Sequence, residues 1–354
     1  MSAMPSPDPH SLVTLQKRVW FYALLLLIFA VAVFSLLLTK KTAPYTTKDA
    51  IQMGTYMRIC LGTEKNPHTL IDAMIREVKR IENKYSFHNK ENVLAEINWN
   101  GEEWTYVDEE TQFILERSYE LALTTKGAFD PVLGRLTRLW GFDRIDKDDV
   151  AFRVPTDEEL ATARQASGYR NLEIRGDTVR LKNGALLDLG GIVKGYAIDR
   201  CVQVARELDP SATGYVDIGG DIGIIGPKFG GADWIISVQP PREIAGVRQM
   251  AAVFLKTGGI ATSGDYQRYF EVDGKRYHHI LNGETGMPST GTISVTVIAQ
   301  NSMDADALST AGMVLEADYV LQILPRLGGQ ALIIDSELHK RATDGWASFE
   351  KNHP

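Results

Sequence analysis

The segment LDLGGIVKGYAID, residues 187–199, brings a carboxylate, two glycines and an ammonium close together in the chain. Its pattern predicts a buried strand that ends at Asp188, a turn through Gly190 and Gly191, and a helix with Lys194 in its first turn. Bare backbone at the start of a helix lets an anionic ligand reach the amide groups there. The segment is neither a dinucleotide-binding motif nor a P-loop, and a plain tight turn with a solvated lysine explains it at least as well.

A second segment with possible chemistry is SMDADALSTAGMVL, residues 302–315. On a helix, Asp306 and Thr310 are four residues apart and project from one face. A carboxylate and a hydroxyl are oxygen ligands that suit Mg²⁺, whose remaining positions are usually filled by water and phosphate oxygens. The alternative is that Asp304 or Asp306 only stabilises the positive end of the helix.

Two more segments hold polar residues between glycines. Residues 258–291 predict a hairpin that presents His278 and His279, and at most one of two adjacent strand side chains can face a given site. Residues 127–142, GAFDPVLGRLTRLWGF, predict a loop whose apolar residues could line a pocket. Each segment alone is equally compatible with a structural role.

The composition is that of a folded globular protein with a large core. The chain has 354 residues, of which 44% are hydrophobic and 23% are charged. Its net charge of -7 argues against nucleic acid as a partner, because nucleic-acid-binding proteins usually carry a basic face. Cys60 and Cys201 form no CxxC motif, and we interpret them as two small buried thiols, with one disulfide between them left open.

The N-terminal region predicts a membrane anchor. Residues 1–18 form a tail, residues 19–39 are almost entirely apolar and long enough to span a bilayer, and residues 40–50 are a polar linker. The alternative is a signal peptide cleaved near residues 30–32, which is less favoured because the apolar run continues to Leu38. The flanking lysines and arginine indicate no clear orientation. Residues 51–354 form the folded domain.

Hydrophobic periodicity predicts a mixed α+β domain. The predicted elements are a strand at 53–62, a helix at 67–85, a helix that begins after Asp108, a hairpin at 172–189 that feeds another strand, a helix at 192–208, a strand pair at 214–226, a helix at about 303–315 and a closing hairpin.

Taken together and in this order, the segments resemble the ApbE family, the FAD:protein FMN transferases. The resemblance covers about residues 53–315. The matching blocks are MGT at 53, GAFDP followed by LWGF from 127, LDLGGIVKGYAID at 187, DIGGDI at 217, ATSGDY at 261, HILNGETG at 279 and DADALSTA at 304.

This resemblance implies an α+β fold with two lobes and a flavin held in the cleft between them. It implies an enzyme that binds FAD and Mg²⁺ and transfers FMN to a threonine or serine hydroxyl of an acceptor protein, with AMP as the leaving group. It also implies a location on the outer side of the cytoplasmic membrane, an acceptor that belongs to a membrane redox complex, and the apolar run in place of a lipid anchor.

The resemblance also assigns roles to individual residues. Gly191, through its carbonyl, Asp306 and Thr310 would bind the metal. His279 would be the general base on the acceptor hydroxyl, with a pKa in the ordinary range of imidazole. The implied flavin or nucleotide contacts are Met53, His88, Ala128, Phe129, Asp130, Asp188, Lys194 and Ile280. This division of roles fits phosphoryl transfer, in which positioning and charge neutralisation do most of the catalysis.

The chain departs from the family pattern at three places. His88 stands where a flavin-stacking tyrosine is usual, Asn282-Gly283 replaces an Asp-Pro pair, and Ser309 stands where some members have a third acidic metal ligand. Two other functions stay open on the sequence. One is an FAD pyrophosphatase that uses water as acceptor, and the other is a non-catalytic, membrane-tethered flavin-binding protein.

Overall fold

The computed structural model describes residues 45–144 and 152–350, together with positions 20, 26, 27 and 29. The predicted tail and almost all of the predicted anchor lie outside the described residues. Within the described part of the chain, no helix is long and apolar enough to cross a membrane. The fold below is that of the compact unit that begins at Tyr45.

An eight-stranded antiparallel sheet is the centre of the fold, with the strand order β1-β2-β6-β7-β10-β13-β14-β15. Three smaller sheets, β3-β5-β4, β8-β9 and β11-β12, accompany it. The strands are β1 (Thr46–Gln52), β2 (Thr55–Gly62), β3 (Thr105–Tyr106), β4 (Leu172–Arg175), β5 (Thr178–Leu181), β6 (Thr213–Ile218), β7 (Asp221–Gly226), β8 (Trp234–Val238), β9 (Ala251–Leu255), β10 (Gly259–Gly264), β11 (Tyr269–Val272), β12 (Lys275–His278), β13 (Thr292–Ala299), β14 (Gln330–Asp335) and β15 (Lys340–Ala342).

Eight α-helices lie within the described residues. They are α1 (Pro67–Tyr85), α2 (Val93–Asn100), α3 (Glu109–Thr124), α4 (Gly134–Trp140), α5 (Asp157–Gln165), α6 (Val193–Leu208), α7 (Ser302–Val314) and α8 (Ala317–Ile323). Their starts follow local chemistry: Asn66, Asp108 and Asn301 each cap a helix by accepting a backbone N–H through the side chain. The predicted helices are confirmed to within about a residue. The α+β class is also confirmed, whereas the division into two lobes stays a prediction.

Helices α6 and α7 pack on the large sheet and on each other. Helix α6 lies against β6 and β7, and α7 lies against β10 and β13. A Cβ atom added at Gly195 would come within 2.2 Å of the carbonyl oxygen of Ser302, so the two helix backbones touch where only glycine fits. This close approach brings together the helices that carry the predicted metal ligands.

The structure differs from the sequence prediction in three segments. Residues 127–142, predicted as a loop, contain helix α4 (Gly134–Trp140), which buries Leu136 and Trp140. Strand β1 begins at Thr46, inside the predicted linker of residues 40–50, because this stretch pairs with β2. The predicted strand that ends at Asp188 is wrong: residues 185–189 belong to no strand or sheet. The side-chain amide of Asn98 donates to the carbonyl of Leu187 (3.0 Å) and accepts from its N–H (2.7 Å), replacing a neighbouring strand.

Both cysteines are buried and free, as predicted.

Candidate active site

The junction of α6 and α7 brings Lys194 and Asp306 together. One carboxylate oxygen of Asp306 accepts the backbone N–H of Gly195 at 2.9 Å, and the other lies 3.8 Å from Lys194 Nζ. Burial lowers the pKa of Lys194 and raises the pKa of Asp306, and the opposite charge of each partner counters the shift. Two residues that are 112 positions apart in the chain therefore form one charged pair.

Lys194 has a second carboxylate partner, Asp221, at the start of β7. The ammonium donates to one oxygen of Asp221, whose side chain is only 1% exposed. The other oxygen of Asp221 accepts the backbone N–H of Thr262 in β10 at 3.0 Å. The carboxylate is thus fixed by a neighbouring strand of the sheet while it holds the lysine of the helix above.

A group of hydroxyls surrounds Thr310 on the next turn of α7. Ser263 Oγ lies 2.8 Å from Ser309 Oγ and 3.3 Å from Thr310 Oγ1, and Ser309 Oγ donates to the carbonyl oxygen of Asp306 at 2.9 Å. A Cβ atom added at Gly191 would lie 3.3 Å from Thr310 Oγ1. The backbone of Gly191 is therefore adjacent to Thr310, and the three predicted metal ligands meet in one place.

These ligands fit Mg²⁺ by the chemistry of their donor atoms. Asp306 supplies a carboxylate, Thr310 a hydroxyl and Gly191 a carbonyl, all of them hard oxygens of the kind that Mg²⁺ prefers. Within the described ranges, no three His, Cys, Asp or Glu side chains form a cluster that could hold a metal. A site with one carboxylate leaves several positions for water and phosphate oxygens, which is how Mg²⁺ is usually bound beside a nucleotide.

Asp130 and Asp188 fix the two loops beside this junction. Asp130 accepts the backbone N–H groups of Val132 and Tyr169, both at 2.8 Å. Asp188 accepts the N–H of Gly190 at 3.0 Å and the hydroxyl of Thr137 at 2.8 Å. Burial raises the pKa of Asp130 to about 6. Both carboxylates are thus committed to protein donors, and they shape the loops that a ligand would meet.

The two loops are joined to each other and to Gly191. The N–H of Asp188 donates to the carbonyl oxygen of Pro131 at 2.8 Å. Ala128 and Phe129 are buried, and a Cβ atom at Gly191 would lie 3.4 Å from the ring of Phe129. The predicted run from Ala128 to Asp130 is therefore packed directly against the turn before α6.

His279 follows strand β12 with one ring nitrogen engaged. Its Nδ1 lies 3.3 Å from the carbonyl oxygen of Arg268. A carbonyl only accepts, so Nδ1 carries the proton of this bond and Nε2 is left as an acceptor. Burial lowers the pKa of His279 to about 3, and the charge of Arg268 adds to the effect. The expectation of an ordinary imidazole pKa is therefore wrong, and the ring is neutral at physiological pH.

His278 has a structural role. Its Nε2 donates to the carbonyl oxygen of Ser289 at 2.9 Å, its Nδ1 accepts the N–H of Ile280 at 3.3 Å, and its side chain is buried. Both ring nitrogens of His278 are satisfied within the protein. Of the two adjacent histidines, only His279 has a ring nitrogen without a hydrogen-bond partner among the described residues.

Met53 and Ile280 border the His279 region, whereas His88 does not. Met53 lies in the β1–β2 turn with a φ of 54°, and a Cβ atom at the next residue, Gly54, would lie 3.5 Å from the guanidinium of Arg268. Ile280 is buried. His88 is exposed, and within the described residues no hydrogen bond or ring contact joins it to the other predicted site residues.

Three further residues at the site were given no role from the sequence. Asp221 holds Lys194, Ser263 contacts Thr310, and Asp199 accepts the N–H groups of Ser302 and Met303 at the start of α7, both at 2.8 Å. All three lie inside the blocks DIGGDI, ATSGDY and LDLGGIVKGYAID. Their position inside these blocks was the one sequence signal that they belong to the site. The blocks do not indicate which partner each side chain contacts.

Comparison with known proteins places these features in one family. The family model described as ApbE family matches residues 53–334. A relative from Treponema pallidum named FAD:protein FMN transferase is 33% identical over 326 residues, which cover 84% of this chain and 87% of the relative. A relative of the same name from Vibrio cholerae is 35% identical over 263 residues, 72% of this chain and 75% of the relative.

Solved structures agree with this assignment. The crystal structure of the ApbE protein from Thermotoga maritima superimposes with a TM-score of 0.83 at 42% identity and covers 87% of this chain and 100% of that one. The flavin transferase ApbE from Vibrio cholerae gives a TM-score of 0.75 at 27% identity, with 86% of this chain and 100% of that one covered. The resemblance drawn from the sequence blocks is confirmed: the chain belongs to the ApbE family.

Proposed function

We propose that this enzyme is an FAD:protein FMN transferase that uses Mg²⁺ to move FMN from FAD to a threonine or serine hydroxyl of an acceptor protein. The names of its relatives support the transfer of FMN from FAD to protein. One observation carries the finer proposal: Gly191, Lys194, Asp306 and Thr310 converge at the junction of α6 and α7. An ammonium beside hard oxygen ligands suits a pyrophosphate bound with a divalent cation.

In the proposed reaction, the acceptor hydroxyl oxygen forms a bond to the phosphorus of the FMN half of FAD. The bond from that phosphorus to the bridging oxygen breaks, AMP leaves with the bridging oxygen, and a phosphoester remains on the acceptor. Bound Mg²⁺ would neutralise charge on the phosphates. Lys194 would contribute a second positive charge, and the bare backbone at Gly191 lets the ligand approach closely.

His279 is the proposed acceptor of the hydroxyl proton. Its Nε2 is the nitrogen left free when Nδ1 donates to Arg268. A pKa of about 3 makes the ring a weak base before the substrate is bound. The negative charge of a bound pyrophosphate would favour the protonated ring and raise this pKa toward the range that general-base catalysis needs.

Flavin and nucleotide contacts are proposed for residues that border the same region. Phe129 packs at Gly191, and Asp130 and Asp188 order the adjoining loops. The contact proposed for His88 has no support from its position in the fold. The proposed FAD contacts are Met53, Ala128, Phe129, Asp130, Asp188, Lys194 and Ile280.

The test is to incubate the full-length protein with FAD, Mg²⁺ and a candidate acceptor and to measure covalent flavin fluorescence on a denaturing gel. We expect His279→Ala to bind FAD but to lose transfer by roughly 10²- to 10⁴-fold, the usual contribution of a general base. His278→Gln is the matched control, because glutamine can still donate to Ser289.

The outcomes separate the three candidate functions. Labelling of the acceptor by the wild type supports the transferase. Consumption of FAD without labelling of any acceptor would favour the pyrophosphatase, and FAD that is bound but never cleaved would favour the flavin-binding protein. Normal transfer by His279→Ala with loss of transfer in His278→Gln would show that the base is assigned to the wrong histidine.

We further propose that residues 19–39 anchor the protein in the cytoplasmic membrane, with the catalytic domain on the outer side and residues 1–18 inside. The proposed acceptor is then a subunit of a membrane redox complex. The apolar run of residues 19–39 and the usual location of the family support this topology. Protease added to spheroplasts should degrade the domain, and full protection of the domain would overturn the topology.

A further inference from the structure

Three charged side chains lie in a row at the junction of α6 and α7, and we call them the charged triad: Asp221, Lys194 and Asp306. Lys194 is ion-paired with Asp221 and lies 3.8 Å from Asp306. The lysine side chain is 25% exposed, and the two carboxylate side chains are 1% and 5% exposed. Two carboxylates and one ammonium give the triad a net charge of -1, and the charges of Arg268 and Asp217 also act on Lys194.

Asp221 is held in place from both sides. Its second oxygen accepts the N–H of Thr262, and β7 and β10 pair with Ile222 opposite Ile260, so the residue is anchored in the sheet. Asp221 therefore cannot turn away from Lys194 without losing its bond to the partly buried N–H of Thr262, which is costly. A buried ion pair of this kind adds little to stability, because desolvation offsets the attraction.

Without Asp221, the lysine would have one partner left within the triad. The ammonium would then be drawn to Asp306, the only carboxylate among the proposed metal ligands. An ammonium and a divalent cation compete for the same carboxylate, because both are positively charged and repel each other when they are close to it. The triad would also change from a net charge of -1 to zero.

We propose that Asp221 is a positioning residue that holds Lys194 and balances its charge, so that Asp306 is free to bind the divalent cation. This inference rests on the proposed function, which supplies the cation and the anionic substrate. Asp221 does not contact the metal or the substrate; it acts through Lys194. The same ion pair keeps the ammonium oriented before FAD arrives.

Asp217 provides a matched control in the same turn. Its carboxylate accepts the N–H of Gly220 at 2.9 Å, and among the described residues it acts on Lys194 through its charge without forming an ion pair. Asp217→Asn removes one negative charge from the same loop while leaving the triad intact. A general effect of net charge on cation binding would appear in both variants, whereas the proposed effect appears only at Asp221.

The experiment measures Mg²⁺ binding by calorimetry on the full-length protein, with and without FAD, and the Mg²⁺-induced shift in melting temperature. Asp221→Asn keeps an oxygen to accept from Thr262 and removes the charge. We expect Mg²⁺ affinity to fall by roughly 10- to 100-fold, as for other partners outside the ligand shell. Asp217→Asn should stay within about threefold of wild type.

A second substitution tests the mechanism of the loss. Adding Lys194→Met to Asp221→Asn restores the net charge of the triad to -1 and removes the competitor for Asp306. The double variant should recover Mg²⁺ affinity to within about threefold of wild type, although transfer stays low. If Asp221→Asn fails to fold, Lys194→Met alone should bind Mg²⁺ more tightly than wild type does.

Unchanged Mg²⁺ affinity in Asp221→Asn would overturn the inference, and so would a double variant that binds no better than Asp221→Asn. These results differ from failure of the proposed function. A wild-type protein that binds no Mg²⁺ with or without FAD would refute the proposed metal itself.

Discussion

Two groups of charged residues in this domain differ in balance and exposure. The charged triad is largely buried and carries two carboxylates for one ammonium. A second group, the helix-surface cluster of Glu77, Arg80, Lys84 and Glu110, joins α1 to α3 and has two positive and two negative members. Its ion pairs are Arg80–Glu110 at 2.5 Å, Lys84–Glu110 at 2.7 Å and Arg80–Glu77 at 2.9 Å.

The pKa shifts follow this difference. Burial alone would raise the pKa of Glu110, but hydrogen bonds from Arg80 and Lys84 outweigh it and lower the pKa to about 2. In the triad, burial prevails, and the pKa of Asp306 is raised. A cluster that satisfies its own charges is structural, whereas a buried cluster with charge left over is costly by itself and is a candidate functional site.

The largest expected effect comes from removing the negative charge of Asp306, the member of the triad that is a proposed metal ligand. Asp306→Asn should reduce FMN transfer by more than about 100-fold, since loss of a direct ligand should exceed the usual cost of losing an outer-shell partner. The melting temperature should hold or rise, because a buried, partly unpaired charge is removed. Thr310→Ala should also lose transfer. The measurement is fluorescent labelling of the acceptor together with thermal unfolding.

The matched substitution in the helix-surface cluster is Glu110→Gln. It should leave transfer near the wild-type rate and lower the free energy of unfolding by about 1 to 2 kcal/mol, because it removes charge-assisted hydrogen bonds at a partly buried site. Near-normal turnover in Asp306→Asn, or a catalytic defect in Glu110→Gln as large as that of Asp306→Asn, would remove the distinction between the two groups.

A smaller effect is expected at Asp199, which ties α6 to the start of α7. Its carboxylate accepts the N–H groups of Ser302 and Met303, whereas Asn301 caps the same helix end by accepting from Asp304 at 2.7 Å. Asp199→Ala and Asn301→Ala should each cost about 1 kcal/mol of stability. Of these two side chains, only that of Asp199 joins α6 to α7, so only Asp199→Ala should displace Asp306 from Lys194.

We therefore expect Asp199→Ala to lower kcat by roughly tenfold, since small displacements of reacting groups are costly, while Asn301→Ala keeps the wild-type kcat. The KM for FAD should change little in both variants. Steady-state kinetics alongside urea unfolding tests this. Equal loss of kcat at equal loss of stability would mean that Asp199 acts only as a helix cap.

The three members of the charged triad were not equally predictable from the sequence. Lys194 and Asp306 were found because their residue types and blocks suggest chemistry before their contacts are known. Asp221 lies 27 positions from Lys194, on strand β7, against which α6 packs. No local sequence pattern encodes this contact between helix and strand. The same limit applies to the segment before Asp188, where apolar residues predicted a strand but the amide of Asn98 supplies the hydrogen bonds instead.

The four helices predicted from the sequence were placed accurately, because spacing and caps are local signals, whereas the shorter helices α2, α4, α5 and α8 were not predicted. The apolar spacing of α1 and the cap at Asp108 both lie within a few residues of the helices they define. The pKa of His279 was not predictable, since its shift depends on burial and on Arg268, which lies on another segment of the chain.

The smallest expected effect is the pH dependence of stability, which should have opposite signs at Asp199 and at Glu110. Burial raises the pKa of Asp199, which joins α6 to the start of α7, from 3.8 to about 6. The folded state then holds this proton more tightly than the unfolded state, so stability contributed by Asp199 falls as pH rises from about 4 to about 6. The pKa of Glu110 moves the other way, from 4.5 to about 2, so its contribution is present above pH 4.5 and is lost as pH falls toward 2.

Urea unfolding of the wild type, Asp199→Asn and Glu110→Gln between pH 3 and pH 7 measures both slopes. Relative to Asp199→Asn, the wild type should lose stability from about pH 4 to about pH 6 and then stay level, because above the folded pKa both states are ionised. Relative to Glu110→Gln, the wild type should lose its advantage only below about pH 4.5. Two slopes of the same sign would mean that hydrogen bonds and neighbouring charges compensate the Asp199 carboxylate as well as they compensate Glu110, although Asp199 has no ion-pair partner among the described residues.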